Sequence, residues 1–244
     1  KLKIHKIKSG TKIFDWKIPD EWNIEDAYVV DKYKKKIINF KINNLHIVGY
    51  SKPIKKKLIK KELLNKIYSI PTQPDAIPYV TSYYKKDWGF CASDTTKKSI
   101  IRNYSKNDKF KVVIDTSFKK NGHLQYGEYF IKGKSSKEII ISTYICHPSM
   151  ANNELSGPIV SMSLMDYFSK INKPNKSLRF IFIPETIGSL VFLNKNLQKL
   201  KKNFLAGFNL TCIGDERMHS CMLSKYSNSI SDKAIIKAYK KLKL

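Results

Sequence analysis

The chain has 244 residues, of which 42% are hydrophobic and 12% aromatic, so it can bury a sizeable core and is not a disordered chain. A formal net charge of +26 raises the question of nucleic acid or another anionic surface as a partner. Only Arg102, Arg179 and Arg217 are arginines, whereas surfaces that clamp phosphates or read bases favour the bidentate arginine side chain. The scattered lysines therefore indicate a compositional bias, and we do not expect a nucleic-acid partner.

The cysteines and the apolar runs exclude further classes. Cys91, Cys146, Cys212 and Cys221 form no CxxC pair, so the sequence predicts neither a disulfide framework nor a zinc knuckle. No run reaches the ~20 apolar residues of a membrane span, and no signal peptide is recognisable. We therefore expect a soluble cytoplasmic protein and leave open whether it forms an oligomer. Because the chain lacks an initial Met and ends on an unfinished helical pattern, AIIKAYKKLKL, we also expect a fragment.

Short β-type runs fill the first half of the chain. They are TKIFDWKIP, DAYVVD, KIINFKI and LHIVGY. The run from Lys55 to Ile70 has apolar residues at helical spacing and predicts a helix, and the prolines that follow it predict a loop. Asn121-Gly122 lies between two strand-like runs and predicts a hairpin that pairs them.

The second half alternates strands and helices. Near-continuous apolar runs at 138–146, 177–184 and 204–214 predict buried strands, and the runs 157–171 and 188–202 between them predict helices. This alternation predicts an α/β domain with a mostly parallel central sheet. In such sheets, functional residues collect beyond the carboxyl ends of the strands. The polar segments at those ends are CHPSMANNE, PETIGS and GDERMH.

Three residues at these strand ends could bind a metal ion. His147 follows the first central strand, Glu185 the second and Asp215 the third. One imidazole and two carboxylates form a suitable ligand set for zinc. Each residue also has an ordinary interpretation: a structural histidine, a glutamate that caps a helix and an aspartate in a turn. Their joint position at one edge of the sheet is what favours a site.

Five segments of the chain resemble one bacterial family. They are SGTKIFDWKIPDEWNI, YYKKDWGFC, STYICHPSMANNELSG, FIPETIGS and LTCIGDE. The sequence resembles polysaccharide biosynthesis proteins with an aminopeptidase-like domain, which look like a branch of the di-zinc aminopeptidase fold. The resemblance implies a three-layer aminopeptidase-like domain at 1–9 and 121–244. It also implies a smaller β-rich domain inserted near the N-terminus, at 10–120.

The resemblance also assigns roles to individual residues. It makes His147 the strand-end metal ligand and Glu185 either the general base or a ligand. Asn153 stands where the family carries the aspartate that bridges two metal ions, and Thr211 stands where it carries a further acidic ligand. Because a neutral amide or hydroxyl binds zinc less well than a carboxylate, we expect one zinc ion rather than two. Asp215 could supply a substitute ligand.

These assignments lead to two hypotheses about function. The first is an aminopeptidase-like zinc metallohydrolase that cleaves an amide or ester bond of a small-molecule or peptide-like substrate. Glu185 would be its base, and His147, Glu185 and Asp215 its metal ligands. The alternative is a catalytically degenerate binding or scaffold domain that has kept the fold. The resemblance links either one to surface polysaccharide biosynthesis. The residues expected to contact the substrate or support the ligands are Asn153, Glu154, Ser156 and Thr211.

Overall fold

The computed structural model describes residues 1–243, which divide into two compact units. Unit 1 combines Lys1–Ile18 with the segment that begins at His123. Unit 2 comprises Pro19–Gly122, whereas 10–120 was the expected extent of the smaller domain.

The secondary structure consists of short strands in the first half and longer strands and helices in the second. The strands are β1 (Lys3–Lys8), β2 (Lys12–Ile13), β3 (Trp16–Lys17), β4 (Glu21–Val30), β5 (Lys36–Asn39), β6 (Ile54–Ile59), β7 (Ile67–Tyr68), β8 (Phe90–Cys91), β9 (Lys109–Lys119), β10 (His123–Ile131), β11 (Ser135–Tyr144), β12 (Lys176–Ile183) and β13 (Phe204–Asn209). The helices are α1 (Lys60–Leu64), α2 (Asp94–Asn103), α3 (Ser156–Ser169), α4 (Ile187–Asn203) and α5 (Ile230–Leu242). Within residues 1–243, no helix combines the length and the apolar character needed to cross a membrane.

Unit 1 contains a five-stranded sheet with the order β1-β10-β12-β11-β13. The pairs β11–β12 and β11–β13 are parallel, whereas β1–β10 and β10–β12 are antiparallel. The sheet is therefore mixed, and the expected parallel arrangement is limited to β12, β11 and β13. Connectivity explains the difference. Parallel neighbours need a crossover, which α3 and α4 supply. In the sequence, β1 precedes unit 2 and β10 follows it, so no such crossover helix connects these two strands.

Apolar residues on both faces bury the centre of this sheet. In β12, Leu178 and Phe180 belong to one hydrophobic cluster, and Ile181 and Ile183 belong to another, as expected for a strand covered on both sides. Phe192 of α4 lies in the second cluster, and residues of α3 pack against the first. A helix thus packs on each face of the sheet.

Unit 2 is built on a four-stranded sheet with the order β5-β4-β9-β6, in which every pair is antiparallel. Strand β9 alternates buried and more exposed residues from Phe110 to Thr116, the pattern of a sheet with one face on a core. Phe90 and Phe110 are fully buried in that core, and Ile100 of α2 joins them. Unit 2 therefore has a hydrophobic core of its own.

Two sequence-based expectations in this region were wrong. The strands on either side of Asn121-Gly122 do not pair with each other, because β9 pairs with β4 and β6 while β10 pairs with β1 and β12. The dipeptide therefore connects strands of two different sheets and does not form a hairpin. The helix expected over 55–70 is confined to Lys60–Leu64, because Ile54–Ile59 pairs with β9 instead. Strand pairing has overridden a local turn signal in the first case and a local helical periodicity in the second.

The two ends of unit 2 lie side by side. Glu21, at the start of β4, pairs with Lys119 at the end of β9. Gly122 follows in a turn where a side chain would come 2.2 Å from Cβ of Glu21. This close approach requires glycine at that position. The chain therefore enters and leaves unit 2 at nearly the same point.

A buried ionic cluster joins three strands of unit 1. Arg179 of β12 is 3% exposed and donates to both carboxylate oxygens of Glu138 in β11, at 2.7 and 2.9 Å. It also donates to Glu128 in β10. Burial by itself raises the pKa of Glu138, but the hydrogen bonds and charge of Arg179 outweigh burial, and the pKa of Glu138 is lowered. Glu138 therefore stays ionised in the folded protein and depends on its partner.

We expect Arg179→Met to lower the free energy of unfolding by about 3–5 kcal/mol, because the substitution removes the buried cation that satisfies both oxygens of Glu138 and leaves it only the half-exposed Lys199. Arg217→Met is the matched control, since Arg217 is exposed and its removal should change stability little. Urea unfolding, together with hydrogen exchange of the β12 amides, measures both effects. Equal stability of the two variants would contradict this interpretation of the cluster.

Candidate functional site

Parallel pairing brings three loops to one edge of the unit 1 sheet. Tyr144 at the end of β11 pairs with Ile183 at the end of β12, and Ser142 pairs with Asn209, the last residue of β13. The loops after β11, β12 and β13, here called the first, second and third loops, therefore leave the same edge. The first loop carries His147.

His147 lies between two carboxylates. Its Nδ1 is 3.3 Å from Oε1 of Glu154, and its Nε2 is 3.9 Å from Oε2 of Glu185. The His147 side chain is 16% exposed, whereas that of Glu185 is 55% exposed. Two residues singled out in the sequence, from different strand ends, are thus brought together. Glu154 flanks the histidine on the other ring nitrogen.

Glu154 is a buried acid at the start of α3. It is 7% exposed and lies in a π-helical turn, Ala151–Leu155, a distortion that recurs at functional sites. Its Oε2 accepts a hydrogen bond from the backbone N–H of Cys146 at 2.7 Å. This charge-assisted bond ties the first loop to the helix that follows it.

Asn153 and Thr211 belong to a neutral hydrogen-bond network around Tyr144. Nδ2 of Asn153 donates to the Tyr144 hydroxyl at 2.9 Å, and the same hydroxyl contacts Oγ1 of Thr211. Burial raises the pKa of Tyr144, so the phenol stays protonated. Among the described residues, Oδ1 of Asn153 is buried without a hydrogen-bond partner. No member of this network carries a charge.

Asp215 is engaged elsewhere. Its two carboxylate oxygens accept hydrogen bonds from the Arg217 guanidinium at 2.9 and 2.6 Å, and these bonds lower the pKa of Asp215. Within residues 1–243, His147, Glu185 and Asp215 do not form a group whose ligand atoms all lie within 4.8 Å of one another. The ligand set inferred from the sequence is therefore not assembled, and Asp215 pairs instead with an arginine two residues away.

Asn152 and Ser156 hold the third loop against the start of α3. Oγ of Ser156 accepts a backbone N–H of that loop at 3.0 Å, and Oδ1 of Asn152 accepts the N–H of Gly214 at 2.9 Å. Gly157 has no room for a side chain, since a Cβ there would lie 2.2 Å from Oγ1 of Thr143. The hydroxyl of Ser156 is therefore used in positioning the loop.

Each of the three loops contains a non-glycine residue with a positive φ. These residues are Ser149 (58°), Thr186 (55°) and Cys212 (50°). The left-handed region is costly for residues with a Cβ, and most of all for a β-branched one such as threonine. Thr186 directly follows Glu185, and its carbonyl accepts the N–H of Leu190 in α4. Backbone strain of this kind clusters at functional loops, which supports this edge as the candidate site.

Cys146 and Tyr144 take part in the site although the sequence pattern did not single them out. Sγ of Cys146 accepts a hydrogen bond from the backbone N–H of Glu185 at 2.9 Å, which links the first and second loops. Burial raises the pKa of the Cys146 thiol to about 11. One signal could have found Tyr144: together with Ser142 it places polar groups on one face of an otherwise apolar strand.

The residues present do not fit a two-zinc centre. Zinc is bound by histidine nitrogen, thiolate and carboxylate, and a group that bridges two cations has to be anionic. The amide N–H of Asn153 points at Tyr144, and Thr211 contacts the same hydroxyl. Asp215 is neutralised by Arg217. Two neutral side chains therefore stand at the positions to which the resemblance assigns acidic ligands.

Known proteins identify the fold and a family for the chain. A family model described as "Domain of unknown function (DUF4910)" matches residues 1–243. A protein of Clostridium acetobutylicum, described as a polysaccharide biosynthesis protein with aminopeptidase-like domain, is 44% identical over 236 residues. The match covers 97% of this chain and 52% of that protein, so the chain spans about half the length of this curated relative. The description confirms the resemblance seen in the sequence.

Two solved structures share the fold. A crystal structure from Clostridium acetobutylicum, of a protein described as a peptidase, has a TM-score of 0.87 at 42% identity, and the match covers 97% of this chain and 54% of that one. A zinc aminopeptidase from Bacillus subtilis has a TM-score of 0.65 at 12% identity and covers 99% of this chain and 67% of its own. At that identity the second likeness concerns the fold alone. The expected aminopeptidase-like α/β fold is confirmed.

We expect Glu154→Ala to loosen the first loop, because the N–H of Cys146 would lose its acceptor at a cost of about 1–3 kcal/mol. Amide hydrogen exchange at Cys146 and His147 should accelerate accordingly. Glu185→Ala is the matched control, since its exposed carboxylate does not hold that N–H. Unchanged protection at Cys146 in Glu154→Ala would show that the buried acid does not hold the loop.

Proposed function

The chain belongs to the DUF4910 family. We propose that its unit 1 is an aminopeptidase-fold binding domain from which the two-zinc reaction has been lost. In this proposal the domain recognises an amide- or ester-bearing ligand without cleaving it. The observation that carries the proposal is the neutral network of Tyr144, Asn153 and Thr211. It stands where the family resemblance expects two acidic metal ligands.

The charge of this network favours binding over metal-dependent catalysis. Two divalent cations about 3.5–4 Å apart repel each other and require anionic ligands between them. Asn153 and Thr211 supply no negative charge, and the amide N–H of Asn153 is directed at Tyr144. Amide and hydroxyl groups suit hydrogen bonds to an uncharged carbonyl or a sugar hydroxyl. An acylated or aminoacylated sugar would fit that chemistry and the polysaccharide description of the relative.

Unit 2 fits the role of a small domain inserted into the aminopeptidase-like unit. Its segment, Pro19–Gly122, interrupts unit 1 in the sequence. The adjacent positions of Glu21 and Lys119 are what an insertion requires, because inserted domains have termini that lie close together. The separate hydrophobic core of unit 2 supports the same assignment.

Replacing both neutral residues should restore metal affinity. We expect the double variant Asn153→Asp, Thr211→Asp to bind one more zinc ion per chain than the native chain, because two carboxylates would replace an amide and a hydroxyl. Calorimetric titration with Zn²⁺ measures the stoichiometry. Asn152→Asp is the matched control, since that side chain faces the Gly214 N–H and should add no ion. If the double variant binds no more zinc than the native chain, these two substitutions do not explain the loss.

A second candidate is a hydrolase of amide or ester bonds, which the approach of His147 to Glu185 at 3.9 Å favours. Glu185 is exposed at the strand edge, beside a largely buried imidazole. It would act as the general base that takes a proton from the attacking water. The strained Thr186 next to it is consistent with a functional position. This candidate leaves Asp215 without a role, because Arg217 holds it.

The second candidate predicts amide or ester hydrolysis that depends on Glu185. Turnover of acylated and aminoacylated sugar substrates should fall by about 10²–10⁴-fold in Glu185→Gln, since a general base contributes that much to the rate. Glu216→Gln, a substitution in the third loop, is the control and should keep full activity. A chain that turns over none of these substrates, or a Glu185→Gln variant as active as the native chain, rejects the hydrolase and leaves the binding domain.

A further inference from the structure

A group of side chains that could hold a metal ion lies beside the neutral network. Ligand atoms of Cys146, His147 and Glu154 all lie within 4.8 Å of one another. The group combines a sulfur, an imidazole nitrogen and a carboxylate oxygen. The resemblance gives no ligand role to Cys146 or Glu154, so this is a different ligand set from the one that the fold implies.

The Glu154 carboxylate is only partly satisfied by the protein. Oε2 accepts the N–H of Cys146, but Oε1 is buried and has no hydrogen-bond partner among residues 1–243. Oε1 lies 3.3 Å from Nδ1 of His147, a spacing typical of two atoms that share a metal ion with bonds of about 2.0–2.2 Å. A buried carboxylate oxygen without a partner is costly. A cation between these atoms would satisfy it.

The sulfur of Cys146 is held in place by the second loop. It accepts the backbone N–H of Glu185 at 2.9 Å, and hydrogen bonds to sulfur are a common feature of metal-bound thiolates. Sulfur, nitrogen and carboxylate oxygen together suit zinc or a similar borderline divalent ion rather than Mg²⁺ or Ca²⁺. Three protein ligands leave a fourth position of a tetrahedral ion open, as in catalytic zinc sites.

We infer that the first loop of unit 1 binds a single zinc-type divalent ion through Sγ of Cys146, a ring nitrogen of His147 and the carboxylate of Glu154. The site holds one ion, and it does not need an acid at position 153 or 211. It stands apart from the proposed function, because either a binding domain or a hydrolase could contain it. The competing explanation is a contact between His147 and Glu154 with no metal.

Cobalt(II) titration of the tag-free chain, freed of metal beforehand, tests the inference. We expect binding of one Co²⁺ per chain, with an ultraviolet thiolate-to-cobalt charge-transfer band that excess Zn²⁺ abolishes. Cys146→Ser should lose the band, and Cys212→Ser should keep it, since Cys212 lies in the third loop. Absence of the band from the native chain, or its loss in Cys212→Ser rather than in Cys146→Ser, would overturn the site.

Glu154→Gln separates the metal ligand from the structural role of the same side chain. Its amide oxygen can still accept the N–H of Cys146, so circular dichroism and thermal unfolding should match the native chain. Zn²⁺ affinity, measured by competition with Co²⁺, should fall by more than the roughly 10- to 100-fold typical of losing a group that only supports a ligand. A folded Glu154→Gln variant with native affinity contradicts the inference. The Asn153→Asp, Thr211→Asp variant tests the proposed function separately, because those two residues lie outside this ligand set, although His147 belongs to both sites.

Discussion

The parallel pairing of β11 with both β12 and β13 is the constraint on which the site depends. Because successive side chains of a strand point to opposite faces, a shift of one residue in either pairing would turn every side chain over. It would also move the loop ends relative to one another. The register that joins Tyr144 to Ile183 is what carries His147 and Glu185 to the same edge. Burial on both faces, by α3 and α4, makes that register strongly preferred.

The central strands and the meeting of His147 with Glu185 were predictable, because long apolar runs and strand-end polarity are local signals. The lysine-rich segment Ile54–Ile59 was not, since pairing with β9 decided its structure. Asp215 illustrates another limit: the sequence marks it as a carboxylate at a strand end, but its partner is Arg217. The ion pair between Asp215 and Arg217 depends on the conformation of the third loop, which hydrophobic periodicity does not predict.

The position of the acid in the first loop links the two proposals. Asn153 and Glu154 are neighbours in the π-helical turn, so their side chains point in different directions. Asn153 faces Tyr144 and Thr211, whereas Glu154 faces Cys146 and His147. Compared with the arrangement that the resemblance implies, the negative charge lies one residue further along the chain and faces the first loop. The proposed loss of the two-zinc site and the proposed single-ion site are therefore compatible.

The proposed insertion of unit 2, together with its side-by-side ends, predicts that its segment can be deleted. Glu21 near the start of unit 2 pairs with Lys119 near its end. A short linker from Ile18 to His123 would therefore replace the deleted segment. Unit 1 would then be one continuous polypeptide with its own sheet and both helical layers. The same junction would accept a foreign domain whose termini lie equally close. The fold thus offers a junction at which one domain can be exchanged for another in chimaeras.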